Sequence, residues 1–272
     1  ATASVVHNGL GLSSDCLIDD GSNACLVFLD GIVQLANMIE LGQIRAGVVV
    51  STETGRALVE NTIRHLNEDT TLTREEMKRA MASLTIGSAS VAAVLVDRRH
   101  SRHGTRLLSA TAHAATEHVE LCQSRGGDEG AADGFQPLMD TDSERLLVEG
   151  VAAAQAGFGR FLGETGWELA DIDRTFCHQV GVAHQKLLFA ELDLDLDTDF
   201  ATVGFLGNTG SAALPVTLAI AAEAGHLDAG HGAALLGIGS GINVMMLAAR
   251  YEQLAVAGND PVRQGRAVAS SV

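Results

Sequence analysis

The apolar positions of this chain form short runs and helical stripes that occur twice, in the same order. In the first occurrence, residues 14–19 read as a short strand. Asn23-Ala24-Cys25 follows, and an apolar helical run covers 26–41 up to a stop at Gly42. The turn Gln43-Ile44-Arg45-Ala46-Gly47 then leads into an apolar strand over 48–51. In the second occurrence, 200–203 read as a strand, followed by Gly207-Asn208-Thr209-Gly210. A helical run over 211–224 stops at Gly225, and the turn His226-Leu227-Asp228-Ala229-Gly230 enters a strand over 233–236.

The spacing repeats as well as the order. Gly42 lies 17 residues after Cys25, and Gly225 lies 17 after Asn208. Cys25 and Asn208 therefore hold equivalent positions, each opening a buried helix in its own half. Each half closes on a strand pair around glycines: Ile86-Gly87-Ser88 into 91–96, and Gly239-Ser240-Gly241 into 244–249. The second half carries more in front of this shared part. An amphipathic helix is expected over 143–162, with Leu146, Leu147, Val151 and Phe158 on one side, then a strand over 172–177 and a helix over 182–192. In the first half only residues 1–12 precede the first strand, matching the last of those helices. The expectation is a duplicated α/β fold whose first half lacks its opening strand, helix and strand. The halves are bounded at 1–123 and 137–252, with a Gly- and acid-rich loop at 124–136, read as mobile over 124–133, and a frayed tail at 253–272.

Composition narrows the class. Hydrophobic residues make up 46% and charged residues 19% of the 272 residues, with 30 Gly, which suits a globular α/β chain. No apolar run reaches membrane-spanning length. The most apolar stretch, 233–249, is broken by Gly237, Gly239, Ser240, Gly241 and Asn243 and reads as sheet core. No basic segment precedes an apolar one at the start, so a secretory leader is not expected. A formal charge of −16 argues against nucleic acid as a partner, because phosphate contacts need clustered cations. The one basic run, Arg98-Arg99-His100 with Arg102, His103 and Arg106, reads as a solvated loop; the sharper reading is a patch for an anionic carrier or a cofactor phosphate. Cys16, Cys25, Cys122 and Cys177 form no CxxC pair, and the histidines show no zinc spacing. Reduced thiols in the cytoplasm are expected, with no metal.

Cys25 sits at a helix start, where the dipole and free N–H groups favour an anion. A lowered thiol pKa and a nucleophilic sulfur are the expectation. Taken alone, Cys25 fits a nucleophile and a structural residue equally well. Cys16, inside an expected strand, and Cys177, at the end of one, read as small buried apolar residues. His178 follows the strand at its carboxyl end, where α/β sites gather, yet a lone His there is more often structural. Asn208 lies in what reads equally as a plain turn. The repeat changes the weighing. It packs the Cys25 and Asn208 helices together with His178 leading into the same half, and a thiol, an imidazole and a carboxamide then converge in an apolar pocket suited to acyl transfer.

These motifs carry a family resemblance that covers the chain from Ala1 to Tyr251. Asn23-Ala24-Cys25 before an apolar helix, His178-Gln179-Val180, Gly207-Asn208-Thr209-Gly210-Ser211-Ala212-Ala213-Leu214-Pro215 and Gly237-Ile238-Gly239-Ser240-Gly241-Ile242-Asn243 together resemble the ketoacyl synthase III-type enzymes of the thiolase superfamily. Thr2-Ala3-Ser4, Glu53-Thr54, Ala115-Thr116-Glu117 and the 146–150 run resemble the branch that condenses two long-chain acyl-CoAs head to head in bacterial olefin biosynthesis. The resemblance implies a thiolase-like layered αβαβα fold. It implies an acyl-enzyme on Cys25, an oxyanion hole from the backbone N–H groups of Cys25 and Ser240, and an enolate held by His178 and Asn208. It further implies substrate contacts at Gly181, Phe205, Gly239 and Gly241, and no bound cofactor. CoA or phosphopantetheine thioesters are the implied substrates, acyl-CoA or acyl carrier protein the partner, and a homodimer the assembly.

In the olefin-type enzymes a glutamate just upstream of the segment matching Ala1 acts as a base across the dimer, and no residue here matches it. Three alternatives to the two-acyl-CoA condensation stand beside it. They are a decarboxylative synthase using malonyl carrier protein, an inactive scaffold or partner subunit, and a thioester hydrolase.

Overall fold

The computed structural model describes residues 2–125 and 138–258. The helices are α1 (Thr2–Leu10), α2 (Val27–Glu40), α3 (Arg56–Glu68), α4 (Arg74–Ala80), α5 (Ser143–Thr165), α6 (Val182–Leu192), the single turn α7 (Val203–Leu206) and α8 (Ala213–Glu223). The strands are β1 (Ala46–Glu53), β2 (Ala89–Val96), β3 (Arg106–Ala114), β4 (Cys122–Arg125), β5 (Leu138–Thr141), β6 (Arg174–Cys177), β7 (Gly232–Gly239) and β8 (Asn243–Arg250).

The duplication is visible in the backbone. β1 pairs antiparallel with β2 over eight residues, from Ala46 opposite Val96 to Glu53 opposite Ala89. β7 pairs antiparallel with β8 over eight, from Gly232 opposite Arg250 to Gly239 opposite Asn243. A 3-10 turn (Ala24–Leu26) opens α2, and another (Gly210–Ala212) opens α8. Both helices end on the same two hydrogen bonds. Gly42 N–H donates to Ile39 and Gln43 N–H to Met38 in one; Gly225 donates to Ala222 and His226 to Ala221 in the other. The glycines take φ of 71° and 72°, a left-handed conformation in which a Cβ would be strained.

Four layers result. β3-β8-β7-β6 form one mixed sheet. Val151, Ala154, Phe158 and Phe161 of α5 and Leu188 and Phe189 of α6 cover one face through Leu236, Ile238, Val244 and Met246. Leu26, Leu29 and Leu214 cover the other face through Leu235, Met245 and Leu247. Each buried Val, Leu, Ile, Phe or Met side chain among these contributes about 1.5–3 kcal/mol. α2 and α8 also pack against the β1–β2 ribbon, so they form the central layer. All eight residues of β7 are buried, whereas β1 alternates and leaves Val48 and Val50 exposed, as β2 leaves Val94 and Val96. β3, which lies inside the 1–123 segment, joins the second half's sheet at β8.

Several expectations need correction. Residues 14–19 form no strand; 11–20 are all exposed, and Cys16 sits in a turn closed by its N–H to Ser13. Residues 200–203 form no strand either. The backbone N–H groups of Thr202 and Val203 both donate to the Gln179 side chain, at 2.9 and 3.0 Å, so no strand partner is available to them. Residues 124 and 125 close β4 rather than open a loop, and the rest of the expected loop lies outside the described residues, as does the tail from 259.

Candidate active site

Cys25 is presented by the turn that opens α2, and the chain is strained to present it. Ala24 adopts a φ of 45°, which costs an L-residue about 1–2 kcal/mol. Gly207, in the corresponding position before Asn208, has a φ of 70°. In both halves the residue that precedes the candidate one has a positive φ.

The glycine-rich end of β7 lets this turn lie directly on the sheet. A Cβ at Gly237 would come within 2.7 Å of both Leu26 and Leu29, and one at Gly239 within 3.0 Å of Leu26 and 3.6 Å of the Cys25 nitrogen. The backbone N–H groups of Ser240 and of Cys25 itself lie close to the Cys25 sulfur and favour its thiolate. Burial outweighs them, and with Cys122 and Glu53 nearby it pushes the thiol up to about 12. The expected lowering is thus overturned: desolvation beats the helix start, and at neutral pH the residue is a thiol.

His178 is held one step beyond the β6–β7 ladder, its N–H donating to Leu236 at 3.1 Å. It is buried, and burial together with neighbouring His184 pushes it down to about 4, so the ring is neutral at pH 7. A neutral imidazole offers one donor and one acceptor nitrogen. Gln179 braces this segment, its Nε2 donating to Cys177 at 2.8 Å while its oxygen takes Thr202 and Val203.

Asn208 is locked at three points. Its N–H donates to Thr85 at 2.9 Å, its carbonyl accepts from Gly87 at 2.8 Å, and its side-chain oxygen accepts from the Gly210 N–H at 2.9 Å. Because Gly210 brings a donor, the Oδ1 end must face it, and the NH2 end is left to donate elsewhere.

Contacts link the elements that carry Cys25 and Asn208. The Ala24–Leu26 turn touches the Gly210–Ala212 turn, and it also touches β7. Leu236, which holds His178, lies three residues before Gly239, which underlies Cys25, about 10 Å along the strand. Gly181 begins α6 and lines a small cavity with His178, Gln179 and Val180. Gly241 has a φ of 141°, and a Cβ there would meet Asn243 Nδ2 at 2.8 Å. Phe205 sits on α7, about half exposed. A second cavity, of about 240 Å³, is lined by Asn23, Leu26, Asp30, His113 and Asn243 among others, with Asn243 Nδ2 donating to Asn23 at 3.0 Å.

Sequence reasoning gave no role in the site to its neighbours Glu53, Cys122 and His184. They stand far from Cys25, His178 and Asn208 in the chain or outside the motifs that carry those residues. The basic run lies at the Val96–Arg106 end of β2 and β3, whereas Asn208 bridges to Ile86 at the opposite end of β2. The solvated-loop reading fits that placement. Arg99 pairs with Asp97 there at 2.7 Å.

Residues 162–251 match the family model for the C-terminal part of 3-oxoacyl-[acyl-carrier-protein] synthase III. A Shewanella oneidensis protein named acyl-CoA:acyl-CoA alkyltransferase is 40% identical over 259 residues, covering 92% of this chain and 72% of its own. A Xanthomonas campestris protein of the same name is 33% identical, covering 90% and 70%. The chain belongs to the thiolase-like family of the ketoacyl synthases III and the acyl-CoA:acyl-CoA alkyltransferases. Within this family the cerulenin-bound crystal structure of Xanthomonas campestris OleA superposes with a TM-score of 0.85 at 32% identity, over 92% of this chain and 70% of that one. The layered α/β architecture is the family's. Among the described residues no cluster of three or more His, Cys, Asp or Glu could hold a metal ion, and no helix is long and apolar enough to cross a membrane.

Proposed function

We propose that this chain loads an acyl group from one acyl-CoA onto Cys25 and condenses it, head to head, with a second acyl-CoA to a 3-oxoacyl product. The observation that carries the reading is the packing of the Cys25 turn on the glycine-rich end of β7 and against the Gly210–Ala212 turn that follows Asn208, with the Ser240 and Cys25 N–H groups close to the sulfur. In the first step the Cys25 sulfur attacks the thioester carbonyl, the C–S bond to CoA breaks, and the thiol proton leaves with the CoA sulfur. In the second, the other acyl-CoA loses an α-proton to a base, and its enolate carbon attacks the Cys25 thioester. The new carbon–carbon bond forms as the Cys25 sulfur departs.

Neutral His178 and the Asn208 NH2 end donate to the enolate oxygen, while the two backbone N–H groups take the developing oxyanion at the acyl carbonyl. Each such donor lowers the barrier by about 3 kcal/mol. Names shared with 40% and 33% identical relatives favour two acyl-CoAs over a malonyl extender. Free thiols at all four cysteines suit a cytoplasmic setting, and a homodimer is the assembly that the family resemblance implies.

Intact-mass measurement after incubation with an acyl-CoA tests the first step. An adduct is expected on the unaltered chain and none on Cys25→Ala; an adduct persisting in the variant overturns the assignment. Release of labelled CO2 from a malonyl thioester would instead select the decarboxylative route, and plain fatty acid as sole product would select hydrolysis.

A further inference from the structure

Glu53 ends β1, in the first half of the chain, yet its carboxylate is spent on the second half. Its Oε1 accepts from the Ser211 backbone N–H at 3.1 Å and from the Ser211 hydroxyl at 2.5 Å. A carboxylate oxygen only accepts, so Ser211 donates its hydroxyl proton there. Ser51, 2.6 Å from the same hydroxyl, then donates to Ser211. Ser211 and Ser51 are both buried. The carboxylate also lies against the backbone of the preceding residue. A Cβ on Gly210, whose φ is 56°, would meet the Glu53 carboxyl carbon and oxygen at 2.9 Å.

Gly210 is the residue whose N–H holds Asn208 Oδ1. The chain of contact is therefore continuous. Glu53 grips the Ser211 N–H and hydroxyl and packs on Gly210, this fixes the Gly210 backbone between them, and the Gly210 N–H sets which end of the Asn208 carboxamide faces outward. On the proposed function given above, we propose that Glu53 is a positioning residue. It orients Asn208 for the carbon–carbon bond-forming step and moves no proton itself.

The role separates geometry from charge, and two substitutions separate them experimentally. Glu53→Gln keeps the length and an acceptor oxygen but removes the charge. Glu53→Asp keeps the charge but withdraws the oxygen by about one bond length, out of reach of Ser211. Cys25 acylation by an acyl-CoA is read by intact mass, and condensation by 3-oxo product formed per acylated chain.

Positioning predicts acylation within about threefold of the unaltered chain in both variants. It predicts condensation retained within about threefold in Glu53→Gln and reduced on the order of 100-fold in Glu53→Asp, with acyl-enzyme accumulating. The reverse order, Glu53→Asp active and Glu53→Gln inactive, overturns the inference in favour of a charged base. Equal loss in both, or loss of acylation itself, overturns it as well. If the unaltered chain takes no acyl group on Cys25, the condensing function fails first, and the inference with it.

Discussion

Gly87 and Leu206 touch backbone to backbone: a Cβ built on Gly87 would stand 1.8 Å from the Leu206 carbonyl oxygen. This contact presses the Ile86–Gly87 segment onto the Asn208 loop, where Gly87 N–H donates to Asn208 and Asn208 N–H to Thr85. Gly87→Ala cannot be absorbed by a side-chain rotation, because the atom it meets is main chain. It should cost about 2–3 kcal/mol in denaturant unfolding. The loss of condensation should exceed the loss of Cys25 acylation, since Asn208 is what moves.

Ala24 offers the opposite experiment. Its φ of 45° suits glycine better than alanine. Ala24→Gly should raise stability by about 0.5–1 kcal/mol, less than the full strain because glycine is also freer when unfolded. Thermal unfolding measures this, and a destabilised variant would show that the Ala24 methyl packs more than the strain costs.

Acid should unfold the chain early. His178 and His184 are both pushed to about 4 by burial, from an ordinary 6.5. Between those values the unfolded chain takes up protons that the folded chain refuses. Their contribution is complete above pH 6.5 and is lost as the pH falls toward 4. Asp199, raised to about 6 by burial, acts the other way over part of the window, one group against two. Urea midpoints taken at intervals from pH 7 to 4.5 should fall, and His184→Phe should flatten the fall.

The Cys25 thiol gives a second pH dependence. With its pKa pushed up to about 12, the rate of iodoacetamide addition to this cysteine should climb about tenfold per unit from pH 7 to 10 without levelling. A plateau reached below pH 9, followed by peptide mass mapping, would show that the Ser240 and Cys25 N–H groups outweigh burial.

Most of the fold could be read from the chain because the duplication writes the same signals twice. The 17-residue step from Cys25 to Gly42 and from Asn208 to Gly225 reappears as two helices with matching glycine ends, each opened by a 3-10 turn that holds Cys25 in the first half and begins two residues after Asn208 in the second. What escaped notice depended on partners that sequence order does not reveal. Residues 200–203 have strand-like composition, but the Gln179 side chain takes their donors first. Residues 14–19 have the same look and no neighbour to pair with among the described residues. The thiol was misjudged because a helix start is local and visible, whereas the burial that opposes it comes from the whole fold. Glu53 was legible only as part of the Glu53-Thr54 resemblance, and its hold on Ser211, 158 residues away, was not.

The two eight-residue ribbons make one molecule its own control. They share length and antiparallel pairing, yet β7–β8 lies between β6 and β3 in a sheet enclosed on both faces, while β1–β2 is a two-stranded sheet that turns Val48, Val50, Val94 and Val96 outward. Ladders of equal length with unequal cover and unequal neighbours should differ in how long they keep their amide protons. Deuterium uptake should mark the first ribbon within the time that the second stays dark.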